Sequence, residues 1–341
     1  MALQSSGPIS LSNIAAEFGG NTPHSLSEYY GVGNGIPNLL GGYVPITLSD
    51  FYGKSYIPTF TVEFLLVGGG GGGGSGGYGI HRGGGGAGGD VRSGSATMSA
   101  FTSMKFILIT VGAGGSGGGM YYSSPTFESS TSGGQSAVSG GVPYTPCPGG
   151  GNGAGGDGTG YNCYNGGGGK RYYYTAGAVR QPLPFTTTVL GGDGGDGNSD
   201  GGGGGGGANY GSSGDGSDGV MTFGGDGGAG QTSNITGSNV TYGGGGGGQG
   251  AQYPGPGGSG GGGAGGILST AGTPGTNGLG GGGGGGYHGA DGGSGIVIIK
   301  IPTSVTSYIS NLTGNPSTST VGSNTIYQFT TAGGSYIMDF R

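Results

Sequence analysis

The chain has 341 residues, 105 of them glycine, with 30% apolar and only 7% charged residues, no tryptophan, and a formal net charge of −6. This composition argues against an ordinary hydrocarbon core, and the absence of a Gly-X-Y period excludes collagen. Nine Lys and Arg with no basic stripe make nucleic acid a poor partner. The longest apolar runs, "FLLV" and "IVIIKI", are too short to cross a bilayer.

Three zones follow one another: residues 1–58 with near-normal composition, 59–302 with nearly all the glycine, and 303–341, which are Ser/Thr-rich. The opening "MALQSSGPIS" has no basic or apolar region of a secretory signal. The first zone carries a degenerate repeat, "ISLSNI", "HSLSEY" and "ITLSDF". Each copy is expected to start a very short helix. Ser25 with Glu28 has capping-box spacing, and Thr47 with Asp50 resembles it. Leu11 and Ile14, Leu26 and Tyr29, and Leu48 and Phe51 each fall three apart, on one helical face. Tyr30-Gly31 and Tyr52-Gly53 read as helix stops. Turns this short cannot stand alone. Their apolar faces are expected to bury on a partner protein or to form a small self-contained cap.

In the second zone an apolar packet repeatedly feeds a glycine run: "FLLVGGGG", "ILITVGAGG", "TTTVLGGDGG", "VMTFGGDGG" and "NVTYGGGG". The zone closes in reverse with "GGSGIVIIKIP". The packets read as strands. Random linkers mix in Ser, Glu, Lys or Pro and lack such punctuation. The runs at 68–74, 201–207, 243–248 and 281–286 are pure glycine. An extended left-handed helix of the polyproline-II type makes no internal hydrogen bonds. Its outward N–H and C=O groups need partners when buried. Glycine keeps its N–H and has no side chain, so such helices can approach on all sides and bond to one another. Ordering glycine is entropically costly, so only a cooperative bundle can offset it. The expected fold is therefore irregular and mainly β: a polyglycine-II helix bundle, or sandwich, on a small β-strand base layer, preceded by a short-helix N-terminal module. A disordered glycine tether is the alternative. The third zone, with "NTIYQFTTAGGSYIMDF", reads as a closing β-hairpin or the start of another glycine-rich unit.

The segments "GPISLSNIAAEFGG", "HSLSEYYG" and "ITLSDFYGKS" resemble virion and tail-fibre proteins of tailed bacteriophages. "FTVEFLLVGGGGGGG", "ILITVGAGG" and "GGSGIVIIKIP" resemble their glycine-rich domains, including the distal-tip adhesins of T-even-type long tail fibres. The resemblance implies a polyglycine-II bundle whose loops bind a bacterial surface protein or glycan. It also implies a virion location, with assembly in the host cytoplasm and attachment to other tail or fibre proteins through residues 1–58. The attachment candidates are Leu11, Ile14, Leu26, Tyr29, Leu48 and Phe51. The chain departs from those adhesins in lacking their extended attachment sequence and in its tail after Pro302. One chain per fibre and a homotrimer both stay open. A reducing assembly compartment implies free thiols at Cys147 and Cys163, although a bridge between two loops is the alternative.

Enzyme signatures fail, and no catalytic function or cofactor is expected. Matches to G-x-G-x-x-G arise by chance in glycine-rich text. "YNGGGGKR" has Tyr164 where a phosphate loop needs glycine and Arg171 where it needs Ser or Thr. "GGDGGDGNS" has the glycine and aspartate positions of a calcium-binding nonapeptide, but Asn198 takes the apolar position and no tandem copy follows. His24, His81 and His288 lack ligand spacing, so no metal is expected. Receptor contacts are expected from aromatic loops: Tyr78, His81 and Arg82; Tyr121, Tyr122 and Phe127; Tyr161 and Tyr164; and Tyr172, Tyr173 and Tyr174. Tyrosine offers large contact area at low entropy cost with a polar tip. Tyr210, Tyr253, Tyr287 and His288 punctuate later runs. Rings that merely cap the bundle ends are the alternative reading. If the strand packets mark the base, Tyr78–Arg82 and Met120–Phe127 are distal.

Overall fold

The computed structural model describes residues 3–20, 22–30, 46–52, 59–76, 82–98, 106–120, 127–155, 167–168, 191–197, 200–209 and 211–340. Each copy of the N-terminal repeat builds a turn closed by its own polar side chains. The first forms an α-helix, α1 (Leu11–Phe18), and the others form single 3-10 turns at Leu26–Tyr29 and Leu48–Phe51. The backbone N–H groups of Ser10, Ser25 and Thr47 donate to Asn13 Oδ1, Glu28 Oε1 and Asp50 Oδ2 at 2.9, 3.0 and 2.6 Å. The hydroxyls of the same residues meet those of Ser12, Ser27 and Ser49 at 2.8, 2.7 and 2.6 Å. This pattern satisfies donors that a one-turn helix would leave orphaned.

The last apolar residue of each copy points inward. Ile14, Tyr29 and Phe51 are buried together with Ile46, and Leu11 and Leu26 pack against them half-buried. Phe51 meets Phe18 and Tyr29 edge-on, with ring centroids 5.8 and 5.9 Å apart. Of the two expectations for these faces, the self-contained one describes Ile14, Tyr29 and Phe51. Their side chains pack against one another in this small core. Leu48 remains 37% exposed.

Among the described residues fourteen strands follow: β1 (Phe60–Val67), β2 (Val91–Met98), β3 (Phe106–Thr110), β4 (Gly119–Met120), β5 (Phe127–Glu128), β6 (Ser136–Gly140), β7 (Thr145–Cys147), β8 (Gln231–Ser233), β9 (Val240–Tyr242), β10 (Ile296–Pro302), β11 (Ile309–Leu312), β12 (Ser317–Val321), β13 (Asn324–Phe329) and β14 (Ser335–Phe340). The molecule is mainly β. Two five-stranded antiparallel sheets run in the orders β12-β13-β10-β1-β2 and β11-β14-β3-β6-β7, and β4-β5 and β8-β9 are two-stranded pairs. One hydrophobic core joins the two large sheets, with Val62, Phe64, Leu66, Val297, Ile299 and Phe329 from the first and Ile107, Ile109, Val138, Met338 and Phe340 from the second. The opposite face of β1 and β10 buries Leu65, Val67, Ile296 and Ile298 in a second cluster with Val91, Ala208, Tyr242 and Ile326. Burial on both faces explains why these strands read as continuous apolar runs rather than alternating ones.

Three expectations change. The apolar packets do build a hydrocarbon core, because strands far apart in sequence converge on it. Residues 303–340 form more than the hairpin β12-β13: they complete both sheets, with β13 pairing with β10 and β14 with β3. The packet "VMTF" forms no strand: Val220 and Phe223 exchange backbone bonds of 3.1 and 2.9 Å across a tight turn. Residues 186–190, the packet "TTTVL", lie outside the described residues.

The glycine runs are ordered by their main chain. Residues 64–76 are buried without interruption. The N–H groups of Gly68, Gly69 and Gly70 donate to three different neighbours, at Asp90, Gly134 and Gly293; those of Gly71, Gly72 and Gly73 return to the same three segments, at Ala87, Thr131 and Ala290. The distances are 2.8–2.9 Å. Every third residue thus addresses the same neighbour, where a strand would alternate between two sides. The rule recurs as Gly202, Gly205 and Ala208 donating to Gln249, Gly246 and Gly243, and as Gly244, Gly247 and Gly250 donating to Gly260, Gly263 and Gly266. The first of these pairs runs antiparallel and the second parallel. A Cβ on Gly70 would lie 2.0 Å from Gly281 O. No other residue type fits that spacing.

Candidate functional site

The threads have two distinct ends. At one end they enter the sheets: Gly68 follows β1, Asp90 precedes β2, and Ala208 and Tyr242 pack into the second core. Burial there pushes the Tyr242 phenol above its ordinary pKa. At the other end the chain reverses in short turns. The turn Val220–Phe223 and the turn at 250–253 are joined by a bridge between Phe223 and Tyr253, and Gly250 bridges onward to Ile267. Gly224 N–H donates to Tyr253 O at 2.8 Å and Gln252 N–H to Thr222 O at 3.0 Å.

These joined turns display large apolar side chains to solvent. Phe223 and Tyr253 stack with centroids 4.6 Å apart and an interplanar angle of 13°. Val220, Phe223, Tyr253 and Leu268 are about half exposed and Met221 is 73% exposed. Met221 and Leu268 also hold φ of 51° and 41°. Positive φ is costly for residues with a Cβ, and such strain persists only where the surroundings impose it. Here it aims two hydrophobic side chains outward from the tips of their turns.

Beneath the patch, Gln249 is fully buried. Its Nε2 donates to Leu268 O at 2.7 Å, while its Oε1 accepts from Gly83 N–H at 3.0 Å. This one side chain ties the Leu268 turn to the thread starting at Arg82. Nearby, Tyr287 is buried and stands edge-on to His288 at 4.9 Å. The arrangement is an apolar and aromatic platform on joined turns. Among the described residues, no group of three or more His, Cys, Asp or Glu is arranged to hold a metal ion. Asp193 and Asp196 of the calcium-like nonapeptide instead donate their backbone N–H groups to the carboxylates of Asp215 and Asp218 at 2.8 and 2.7 Å.

Of the expected receptor contacts, Tyr78, His81, Tyr121, Tyr122, Tyr161, Tyr164, Tyr172, Tyr173 and Tyr174 lie outside the described residues. Phe127 pairs through its main chain with Met120 in β4-β5. Arg82 is among the described residues. It is buried, and its Nε donates to Asp200 O at 3.3 Å. Gly76 and Arg82, which flank the first loop, sit at the turn end, where Gly76 N–H bonds to Gly286 O. Cys147 is a free thiol deep in the sheet core, donating to Asp90 O and Leu66 O at 3.0 and 3.3 Å. Burial pushes its pKa well above the ordinary thiol value, and the nearby Asp90 carboxylate adds to the shift. Cys163 lies outside the described residues. Sequence reasoning missed Val220, Met221, Phe223 and Leu268.

No curated protein and no solved structure matches the chain at a significant level. A family model described as a glycine-rich domain matches residues 53–302, a span that covers both the threads and strands β1 to β10. The chain therefore belongs to the glycine-rich domain family.

Proposed function

We propose that this chain is a non-enzymatic receptor-binding adhesin at the fibre tip of a tailed bacteriophage, and that its threads form a polyglycine-II bundle. The three-residue recurrence of the thread hydrogen bonds supports the bundle, because polyproline-II-type helices have three residues per turn. The resemblance of the repeat in residues 1–58 to phage tail proteins supports the virion location. The observation that carries the adhesive role is the exposed patch of Phe223, Tyr253, Met221, Val220 and Leu268, held on reversals away from the sheets. Exposed apolar patches with rigid aromatic anchors are typical of contact surfaces.

In this reading the sandwich and threads are a stiff pedestal, and the turns and the tyrosine-rich segments touch a bacterial surface protein or glycan. Several copies per virion would supply avidity to weak single contacts. The N-terminal module docks to other fibre proteins through its outer surface, where Leu48 remains available, and not through its own core residues. The test is binding of labelled, purified protein to a panel of bacterial surfaces, with Phe223→Ala/Tyr253→Ala as the comparison. Binding to some strains, reduced at least tenfold in the double variant, supports the reading. Binding to none, with virion adsorption unaffected by the substitutions, replaces it with a purely structural fibre or decoration protein.

A further inference from the structure

A cleft opens on the outer face of the first sheet, at the end of the molecule away from the exposed turns. Its volume is about 400 Å³. That lies within the range of small-molecule sites. One wall is a row across three strands, because Glu63 pairs in register with Lys300 on one side and Ser95 on the other. Ser93, two residues along β2, points to the same face. The opposite wall is the end of β8 and the turn that follows it, contributing Ser233 and Asn234. That turn is anchored by Ile235, which packs against the second core.

The chemistry of the lining selects its occupant. Lys300 Nζ donates to Glu63 Oε2 at 3.1 Å, with Lys300 20% and Glu63 49% exposed. The pair cancels its own charge, so the cleft favours neither anion nor cation. It still offers two remaining ammonium donors and a second carboxylate oxygen. The hydroxyls of Ser93 and Ser95 and the amide of Asn234 add donors and acceptors along both walls. Such a lining suits a neutral ligand carrying many hydroxyl groups. A wholly apolar ligand would strand these polar groups.

We propose that this cleft is a binding site for a neutral saccharide of one or two residues. The inference does not rest on the adhesin reading, and the site is separate from the exposed turns. The probes are maltose, cellobiose, lactose and chitobiose, added to isotopically labelled protein while backbone amide resonances are followed. Saturable shifts confined to residues 93–95, 233–235 and the Glu63–Phe64 region are expected for at least one of them. Ser95→Phe, which fills the cleft on a strand that accepts an aromatic residue, should weaken that binding at least tenfold with unfolding unchanged. Ser93→Gln is the second variant, in case the first disturbs the sheet. No saturable shift with any probe at tens of millimolar would overturn the proposal. So would shifts insensitive to both variants, or preferential binding of glucuronate or sialyllactose. Loss of cell binding in Phe223→Ala/Tyr253→Ala leaves it unaffected, so the two proposals fail separately.

Discussion

Gly72→Ala isolates the main-chain packing. In most proteins a glycine-to-alanine change at a compatible position stabilises by about 0.4–1 kcal/mol, because it restricts the unfolded chain. Here the sign should reverse. A Cβ at residue 72 would stand 2.0 Å from Ser116 O and 2.4 Å from Ser116 C. Ordinary contact begins at 3.4 Å, so the two threads must part by about 1.4 Å. The bonds joining them, Gly115 N–H to Gly70 O at 2.8 Å and Gly118 N–H to Gly73 O at 2.9 Å, would open past hydrogen-bonding range. If only one group of each opened bond stays buried and unpaired, at about 1–3 kcal/mol each, the loss is roughly 2–6 kcal/mol. A domain's whole stability is only about 5–15 kcal/mol. The control is Gly155→Ala, where the nearest atom, Ser75 Oγ, is 3.4 Å away and φ is not left-handed. It should change stability by less than about 1 kcal/mol. Urea unfolding of both variants reads the difference. If Gly72→Ala proves as stable as Gly155→Ala, the close packing of main chain on main chain is not what holds the threads.

Three further outcomes follow. Phe51→Ala should cost the N-terminal module about 3–5 kcal/mol, as for other fully buried rings, while exposed Leu48→Ala should cost under about 0.5 kcal/mol; unfolding of a module probe distinguishes them. In a Cys163→Ser variant, the remaining thiol of Cys147 should resist Ellman's reagent at pH 8 in the native protein and react fully in denaturant. The Asp90 carboxyl is raised above its ordinary pKa by burial, an effect that ion pairing with Arg92 at 2.8 Å opposes. An acid with a raised folded pKa binds more protons when folded, so its contribution should fall as pH rises from the unfolded value through the folded one. Asp90→Asn should remove that component of the pH dependence of unfolding, measured from pH 4 upward.

Much of this fold was legible in the sequence. Strands β1, β3, β9 and β10 announced themselves as β-branched packets abutting glycine. Capping spacing marked the turns at Leu26 and Leu48, and Asn13 plays the same role in α1 without the usual Glu or Gln. Strands β2 and β12 escaped notice because "VRSGSATM" and "STSTV" are small and polar; pairing with β1 and β13, not their own pattern, makes them strands. "VMTF" has strand composition, yet tertiary bridges to Tyr253 fold it into a turn. The same override hid the exposed patch. Tyrosine counts drew attention to other loops, whereas exposure of Met221 and Leu268 depends on backbone conformations that no side-chain type announces. The partners of the N-terminal apolar faces were equally illegible, since spacing shows that a face exists but not what covers it.

The central claim is that hydrogen bonds between glycine threads, spaced three residues apart, make the middle of the molecule rigid. Amide hydrogen exchange of the native protein, resolved to residues 68–74 and 243–248, tests it most directly. The account predicts protection comparable to that of β1 and β10, released only on global unfolding. Exchange of those glycines at the rate of an unstructured peptide, while β1 and β10 stay protected, would contradict it.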